Sequence, residues 1–121
     1  MTYGIKAPTV VLSPALREYA EEKIGSVEGL LVESQSAHAE IELEKISAHH
    51  HKGEVFRAEV NLRSRGQLYR AEATAEDLYA AIDLLRDELA REIKDYKTRK
   101  VSLFRRGARF AKRLLRGNKD I

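Results

Sequence analysis

The sequence predicts an α+β domain in the order β-α-β-β-β-α: one four-stranded sheet, two helices packed on one face, and a basic C-terminal helical tail. Three observations carry this. Residues 37–46 alternate strictly between apolar and polar side chains, as a half-buried strand does. A run of strand-like segments with tight links follows, implying an antiparallel meander. From residue 78 the apolar period then changes from two to between three and four, the period of a helix. One sheet covered on one side is the economical way to bury both helical stripes. At 121 residues the chain has room for one modest core.

The elements follow in order. Residues 2–8 read as a short strand. Ser13-Pro14 reads as a helix start, because serine caps free backbone N–H groups and proline suits the first helical position. Leu16, Tyr19, Ala20, Ile24 and Val27 then recur at spacings of three and four, a stripe of about four turns. Gly25 and Gly29 weaken its end. In the first long strand Ala37, Ala39, Ile41 and Leu43 face inward. Ser47 to Gly53, with the run His49-His50-His51, reads as a polar loop. Phe56, Ala58, Val60 and Leu62 form the inward face of the next strand, and Ser64-Arg65-Gly66-Gln67 is a tight turn in which glycine is available for positive φ. Residues 68–73 make the last strand, whose Tyr69, Ala71 and Ala73 leave room for a helix. Thr74-Ala75-Glu76-Asp77 resembles a capping box. The long helix beyond it carries the stripe Leu78, Ile82, Leu85, Leu89, Ile93 and Tyr96 and is expected to run to about residue 100. The segment from Val101 to Arg116 is helical by period. Residues 1–100 are thus expected to form the binding domain and 101–121 a basic amphipathic tail.

Charge is the most informative property. Residues 97–121 hold ten basic side chains against one acidic, a net of +9, while the other 96 residues hold twelve against eighteen, a net of −6. Such a concentrated basic end points to a polyanion, either nucleic acid or an acidic membrane surface. On the long helix Arg86, Arg91, Lys94, Lys97, Arg99 and Lys100 are candidate phosphate contacts, mixed with Asp83, Asp87, Glu88 and Asp95. In the tail Val101, Phe104, Ala108, Ala111 and Leu115 fall on one arc. Arg105, Arg106, Arg109, Lys112, Arg113 and Arg116 fall on the opposite arc with no acid among them. Gly107 costs about 1 kcal/mol of helix stability relative to alanine, so the tail helix is expected to form on binding.

Several function classes are excluded or disfavoured. There is no cysteine, hence no disulfide framework and no thiolate chemistry. No apolar run approaches the ~20 residues of a membrane span, and the first residues do not read as a signal peptide. Three consecutive histidines in an extended segment alternate sides, so they do not converge readily on one metal ion. Catalytic motifs of the nucleophile-elbow, phosphate-loop and zinc-helix types are missing. No enzyme activity, cofactor, metal or small-molecule substrate is expected.

Certain stretches resemble a known family. Leu12-Ser13-Pro14-Ala15-Leu16-Arg17-Glu18-Tyr19 is similar to the first-helix start of the hibernation promoting factor and ribosome-associated inhibitor A family (short form, sigma-54 modulation protein-like). Arg70-Ala71-Glu72-Ala73 and then Glu76-Asp77-Leu78-Tyr79-Ala80-Ala81-Ile82-Asp83 resemble that family's most distinctive stretch. His51 to Val60 is similar to the loop and strand of its long members. The resemblance spans roughly residues 2–100. It implies a cytoplasmic factor that binds rRNA in the small-subunit channel between head and body, blocks the messenger and transfer RNA paths, and stores ribosomes under stress. Carried over by position, Arg17 and Lys23 match basic positions of the family's first helix, and Arg91 and Arg99 those of the second. Arg86, Lys94, Lys97 and Lys100 are added from helical geometry.

Two departures stand out. Gly25-Ser26-Val27-Glu28-Gly29 lacks lysines that relatives often carry, and the basic segment 101–116 stands where long members have a second domain that pairs ribosomes. The tail is expected to supply rRNA contacts in place of the missing lysines, and the protein to be a monomer off the ribosome. Two other readings stay open: a regulator of another RNA, and a module that uses the tail to bind a partner or, less expected, a membrane.

Overall fold

Ser13 begins the first helix as its sequence requires. Its Oγ accepts from the Leu16 N–H at 3.1 Å, and Pro14 occupies the first helical turn, where a missing N–H costs nothing. In the computed structural model, which describes residues 1–46 and 53–119, the elements are β1 (Thr2–Lys6), α1 (Pro14–Gly25), a 3-10 turn (Glu28–Leu30), β2 (His38–Ile46), β3 (Val55–Ser64), β4 (Gln67–Ala75) and α2 (Leu78–Lys119). The His49–His51 run lies outside the described residues.

The four strands form one sheet in the order β1-β2-β3-β4. β1 is parallel to β2, a pairing that needs a crossover, and α1 supplies it. The other two pairings are antiparallel, in registers that set Ile41 beside Val60 and Val60 beside Ala71. The β3–β4 link is a two-residue hairpin turn in which both Arg65 (φ 51°) and Gly66 (φ 76°) are left-handed. Paired positive φ values match the right-handed twist of the flanking strands. The expectation assigned that conformation to glycine alone, yet arginine shares it.

One face of the sheet is the floor of the core. Ala39, Ile41, Leu43, Ala58, Val60 and Leu62 are buried there. The roof is α1 with Leu16, Ala20 and Ile24, and α2 with Ala81, Ile82, Leu85, Leu89, Ala90 and Ile93. The alanines keep the floor low, so α2 can lie directly over β3 and β4. Gly25, read as a weak point of α1, has a packing role: a Cβ there would come within 2.5 Å of the Tyr3 hydroxyl. The helices meet through the Tyr19 ring, which stands edge-on to Tyr79 with centroids 4.9 Å apart and donates its hydroxyl proton to Asp83 at 2.5 Å. That bond pushes the Tyr19 hydroxyl pKa up to about 12.

Three expectations are corrected. β1 ends at Lys6 rather than residue 8. Thr74 and Ala75 belong to β4, so the capping box does not form. Asp77 caps α2 instead, accepting from the Ala80 N–H at 2.9 Å. Finally, α2 does not stop near residue 100. It runs unbroken for 42 residues, about 63 Å, passing through Gly107. No proline interrupts residues 78–119, and one glycine lowers helix stability without ending the helix.

On the open side of the sheet, Arg57 binds three carboxylates: Glu44 at 3.1 Å, Glu72 at 2.6 Å and Glu59. Its guanidinium holds the Glu59 carboxyl below the ordinary value of 4.5. A lowered carboxylate pKa contributes stability that is complete above the unfolded value and lost as pH falls through the folded one. Replacing Arg57 with methionine is therefore expected to cost about 1–3 kcal/mol near neutral pH, with the gap to wild type narrowing below pH 4.5. Chemical denaturation at stepped pH checks this. Asp77→Ala is expected to lower stability by about 1 kcal/mol, read as a drop of about 4 °C in the thermal midpoint.

Candidate nucleic-acid interface

The α2 helix divides in two by what lies beneath it. From Leu78 to Tyr96 it covers the sheet, and the last packed side chain is Tyr96, whose ring stands edge-on to Tyr69 with centroids 5.6 Å apart. From Lys97 to Arg116 every residue is exposed. The charge changes at the same place. The covered part carries Asp83, Asp87, Glu88, Glu92 and Asp95; between Tyr96 and Lys119 there are ten cations and no acid. The overhang extends about 35 Å past the sheet.

At 100° per residue, Arg91, Lys94, Arg105, Arg109, Lys112 and Arg116 share one ridge about 60° wide on the side away from the sheet. Arg106 and Arg113 flank it, and Arg99 lies farther round. Lys97 and Lys100 turn the other way, into a cleft of about 240 Å³ where α2 leaves the sheet. Leu30, Leu31, Tyr69 and Tyr96 line this cleft, and Arg65 adds a third cation. Arg65 was missed in the sequence, where it read only as a turn residue. The turn's geometry aims it toward α2, and an arginine beside glycine in a two-residue hairpin was the available signal.

The other expected contacts are less free. Arg17 lies 3.9 Å from Glu21, Lys23 lies 3.5 Å from Asp83 and faces the Tyr19 ring, and Arg91 lies 2.9 Å from Glu88. Arg86 donates to the Ser26 hydroxyl at 2.9 Å and faces Asp87 at 3.4 Å, which ties α1 to α2. Exposed pairs of this kind contribute at most about 1 kcal/mol each, so a phosphate can replace the acid. Lys94, Lys97, Arg99, Lys100 and the cations from Arg105 to Arg116 have no ion-pair partner among the described residues. Thus the unpaired cations run along α2 from Lys94 onward, most of them on its outer side and Lys97 and Lys100 at the cleft. The open sheet face instead interleaves Glu40, Glu42, Glu44, Glu59 and Glu72 with Lys6, Arg57, Arg63 and Arg70, and Arg57 and Arg70 are paired with its carboxylates.

Among the described residues no group of three or more potential ligands could hold a metal ion, and no helix is long and apolar enough to cross a membrane. Exposed, unpaired lysine and arginine of the kind found along α2 can neutralise phosphates.

Known proteins share this fold. The Thermus thermophilus Protein Y N-terminal domain superposes with a TM-score of 0.62 at 27% identity, over 78% of this chain and 94% of that one. A ribosomal subunit interface protein from Coxiella burnetii, at 24% identity, shares the fold, with a TM-score of 0.65 over 81% of this chain and 99% of that one. Ribosome hibernation promotion factors of Lactococcus lactis and Staphylococcus aureus are 31% and 32% identical over 97 residues, 80% of this chain and 50% and 48% of theirs. The factor of Bacillus subtilis is 31% identical over 105 residues, 87% of this chain and 53% of that one. This chain therefore spans about half the length of the curated relatives it matches. The family described as Sigma 54 modulation protein / S30EA ribosomal protein matches residues 3–101, which covers all of the sheet but Thr2, α1 and the covered part of α2. With its fold and most of its length accounted for in this way, the chain belongs to that family.

Proposed function

We propose that this protein is a ribosome hibernation factor: it binds rRNA of the small subunit in the decoding channel and holds the ribosome inactive by occupying the messenger and transfer RNA sites. The observation that carries this reading is the segregation of charge along α2, on a chain whose relatives are named for ribosome hibernation. Lysine and arginine on a rigid helix grip phosphate without reading sequence. The domain behind them blocks by its bulk. Such a mechanism needs no nucleophile, cofactor or metal, and it operates in the cytoplasm, where ribosomes work.

The roles divide by position. Lys94, Lys97, Arg99 and Lys100 are the primary grip, being exposed and without ion-pair partners among the described residues. Arg65 joins them at the cleft. Arg17, Lys23, Arg86 and Arg91 exchange their carboxylate or hydroxyl partners for phosphate. Arg105, Arg106, Arg109, Lys112, Arg113 and Arg116 extend the grip beyond the folded body, which compensates for the lysine-poor segment 25–29. The open face of the sheet, where acids and cations are interleaved, offers phosphate no comparable run of unpaired charge, so the body turns its helices toward the rRNA.

Co-sedimentation with ribosomes across a salt series tests the reading. Wild type is expected to bind at low salt and dissociate as salt rises. Reversing Arg91, Lys94 and Lys97 to glutamate should abolish binding, and failure to bind at low salt by the wild type would overturn the proposal. Truncation after residue 100 is expected to weaken binding and flatten the dependence of log affinity on log salt, by roughly one unit for each phosphate that is no longer neutralised. An unchanged slope would remove the tail from the site.

A further inference from the structure

The cleft where α2 leaves the sheet is built by three elements. The 3-10 turn brings Leu30 and Leu31, the β3–β4 hairpin brings Arg65, and α2 brings Tyr96, Lys97 and Lys100 over Tyr69 of β4. The leucine wall is held in place. The Leu30 and Leu31 N–H groups donate to the Val27 and Glu28 carbonyls at 2.9 and 3.0 Å, and the Ser64 hydroxyl donates to the Glu33 carbonyl at 3.1 Å.

Two chemistries meet in this cleft. Its interior is apolar and aromatic, while the exposed Arg65, Lys97 and Lys100 stand around it with no carboxylate among the lining residues. Tyr69 is only 8% exposed. The Tyr3 and Tyr19 hydroxyls each have a carboxylate partner, but the Tyr69 hydroxyl has none among the described residues. Nor is it sealed in, because no fully buried side-chain oxygen or nitrogen lacks a partner. A buried tyrosine normally satisfies its hydroxyl; this one opens on the cleft and is left for a ligand. Arg65 is a second, separate observation. The first position of such a turn favours asparagine, aspartate or glycine, and a φ of 51° suits arginine poorly. The turn gains nothing from an arginine, whereas the cleft gains a cation.

A hydrated inorganic anion would meet the cations and leave the rings and leucines uncovered. At about 240 Å³ the cleft is smaller than the roughly 300–1,000 Å³ pockets that enclose drug-sized molecules, so it suits one flat ring carrying charge. It is also not isolated. Through Lys97 it joins a shallow groove along the overhang, lined by Arg105, Arg106 and Arg109 and again free of acids. An acidic peptide also brings rings and charge, but cations continuing for about three turns suit a polymer charged at every unit.

We propose that the cleft takes one unpaired nucleotide, with its base against Tyr96 and the leucine wall, its phosphate on Arg65, Lys97 and Lys100, and the neighbouring strand following the groove. A base held in a duplex has no free face to offer, so the site selects single strands. The inference deepens the rRNA reading and rests on it for the source of the strand: at this point the protein meets unpaired rather than duplex rRNA.

Fluorescence anisotropy with labelled RNA octamers and the full chain, without ribosomes, tests the proposal. A single-stranded octamer is expected to bind about tenfold tighter than an abasic octamer with the same phosphates, the gain of one stacked base. Tyr96→Ala should erase that preference and leave the affinity for the abasic strand unchanged, while Tyr96→Phe keeps it. Because Tyr96 touches the core, Arg65→Asn is the second variant. Asparagine suits the left-handed turn position, so the thermal midpoint should hold or rise while affinity for the single strand falls about threefold. The ring-proton signals of Tyr69 and Tyr96 separate two sources of the same ligand. Shifts on adding AMP below about 1 mM would support the site with free nucleotide as a further source; shifts with the octamer alone would support it for the strand. Equal affinity for the two octamers with ring signals unmoved by AMP would overturn the proposal, as would an R65N variant that binds like wild type. Ring signals moved by a tyrosine-containing polyglutamate peptide and by neither nucleotide source would overturn it in favour of a protein partner. Ribosome co-sedimentation keeps the two readings apart: wild type that pellets with ribosomes but shows no base preference defeats this inference alone, and base preference without pelleting defeats the ribosomal reading alone.

Discussion

Everything in this molecule hangs on the laying of one helix across a floor of small side chains. Ala39, Ala58, Ala71 and Ala73 keep the inner face of the sheet shallow, and Ile82, Leu85, Leu89 and Ile93 fill the space above. Burial of each large side chain is worth about 1.5–3 kcal/mol. The same packing determines the azimuth of α2. Once those four side chains face the sheet, Arg91 and Lys94 must face solvent, and Lys97 and Lys100 must turn toward the β3–β4 hairpin. The direction of the cationic surface is a consequence of core packing.

Much of this was legible because the periods are clean. Strict alternation in residues 38–46 and 56–62 identified β2 and β3, since every second side chain had to reach one core. Ser13-Pro14 marked the start of α1 because few other pairs satisfy a helix N-terminus so directly. The legible part of the candidate site was its charge: ten cations in residues 97–119 are visible without any fold. What could not be read were relations between distant residues. Nothing local shows that Lys23 lies beside Asp83, or that Arg86 reaches Ser26. The segment 74–77 carried a capping signal that belonged to a different residue, because Thr74 pairs with Arg57 in the sheet and is unable to act as a cap. The continuity of α2 was obscured by the change from a buried stripe to an exposed one. A helix's backbone hydrogen bonds do not depend on that change.

The two faces of the sheet are treated oppositely. The inner face is apolar, whereas the outer face is a lattice of alternating charge in which Arg57 holds Glu44, Glu59 and Glu72 together across three strands. Without that cation the carboxylates would repel one another in the flat array that strand pairing imposes. The outer face thereby mixes both signs of charge, and the long run of unpaired cations lies on α2 instead.

The unbroken α2 also fixes a distance. A chain leaving the sheet as a coil would let its terminal charges wander through a volume. A helix that enters the core at Leu78 and continues without a hinge holds Arg116 about 30 Å beyond Tyr96 along a defined line. Any surface that seats the body then also decides where the far end touches. The molecule carries a built-in gauge, and a partner whose phosphates lie off that line would be refused by stiffness rather than by charge.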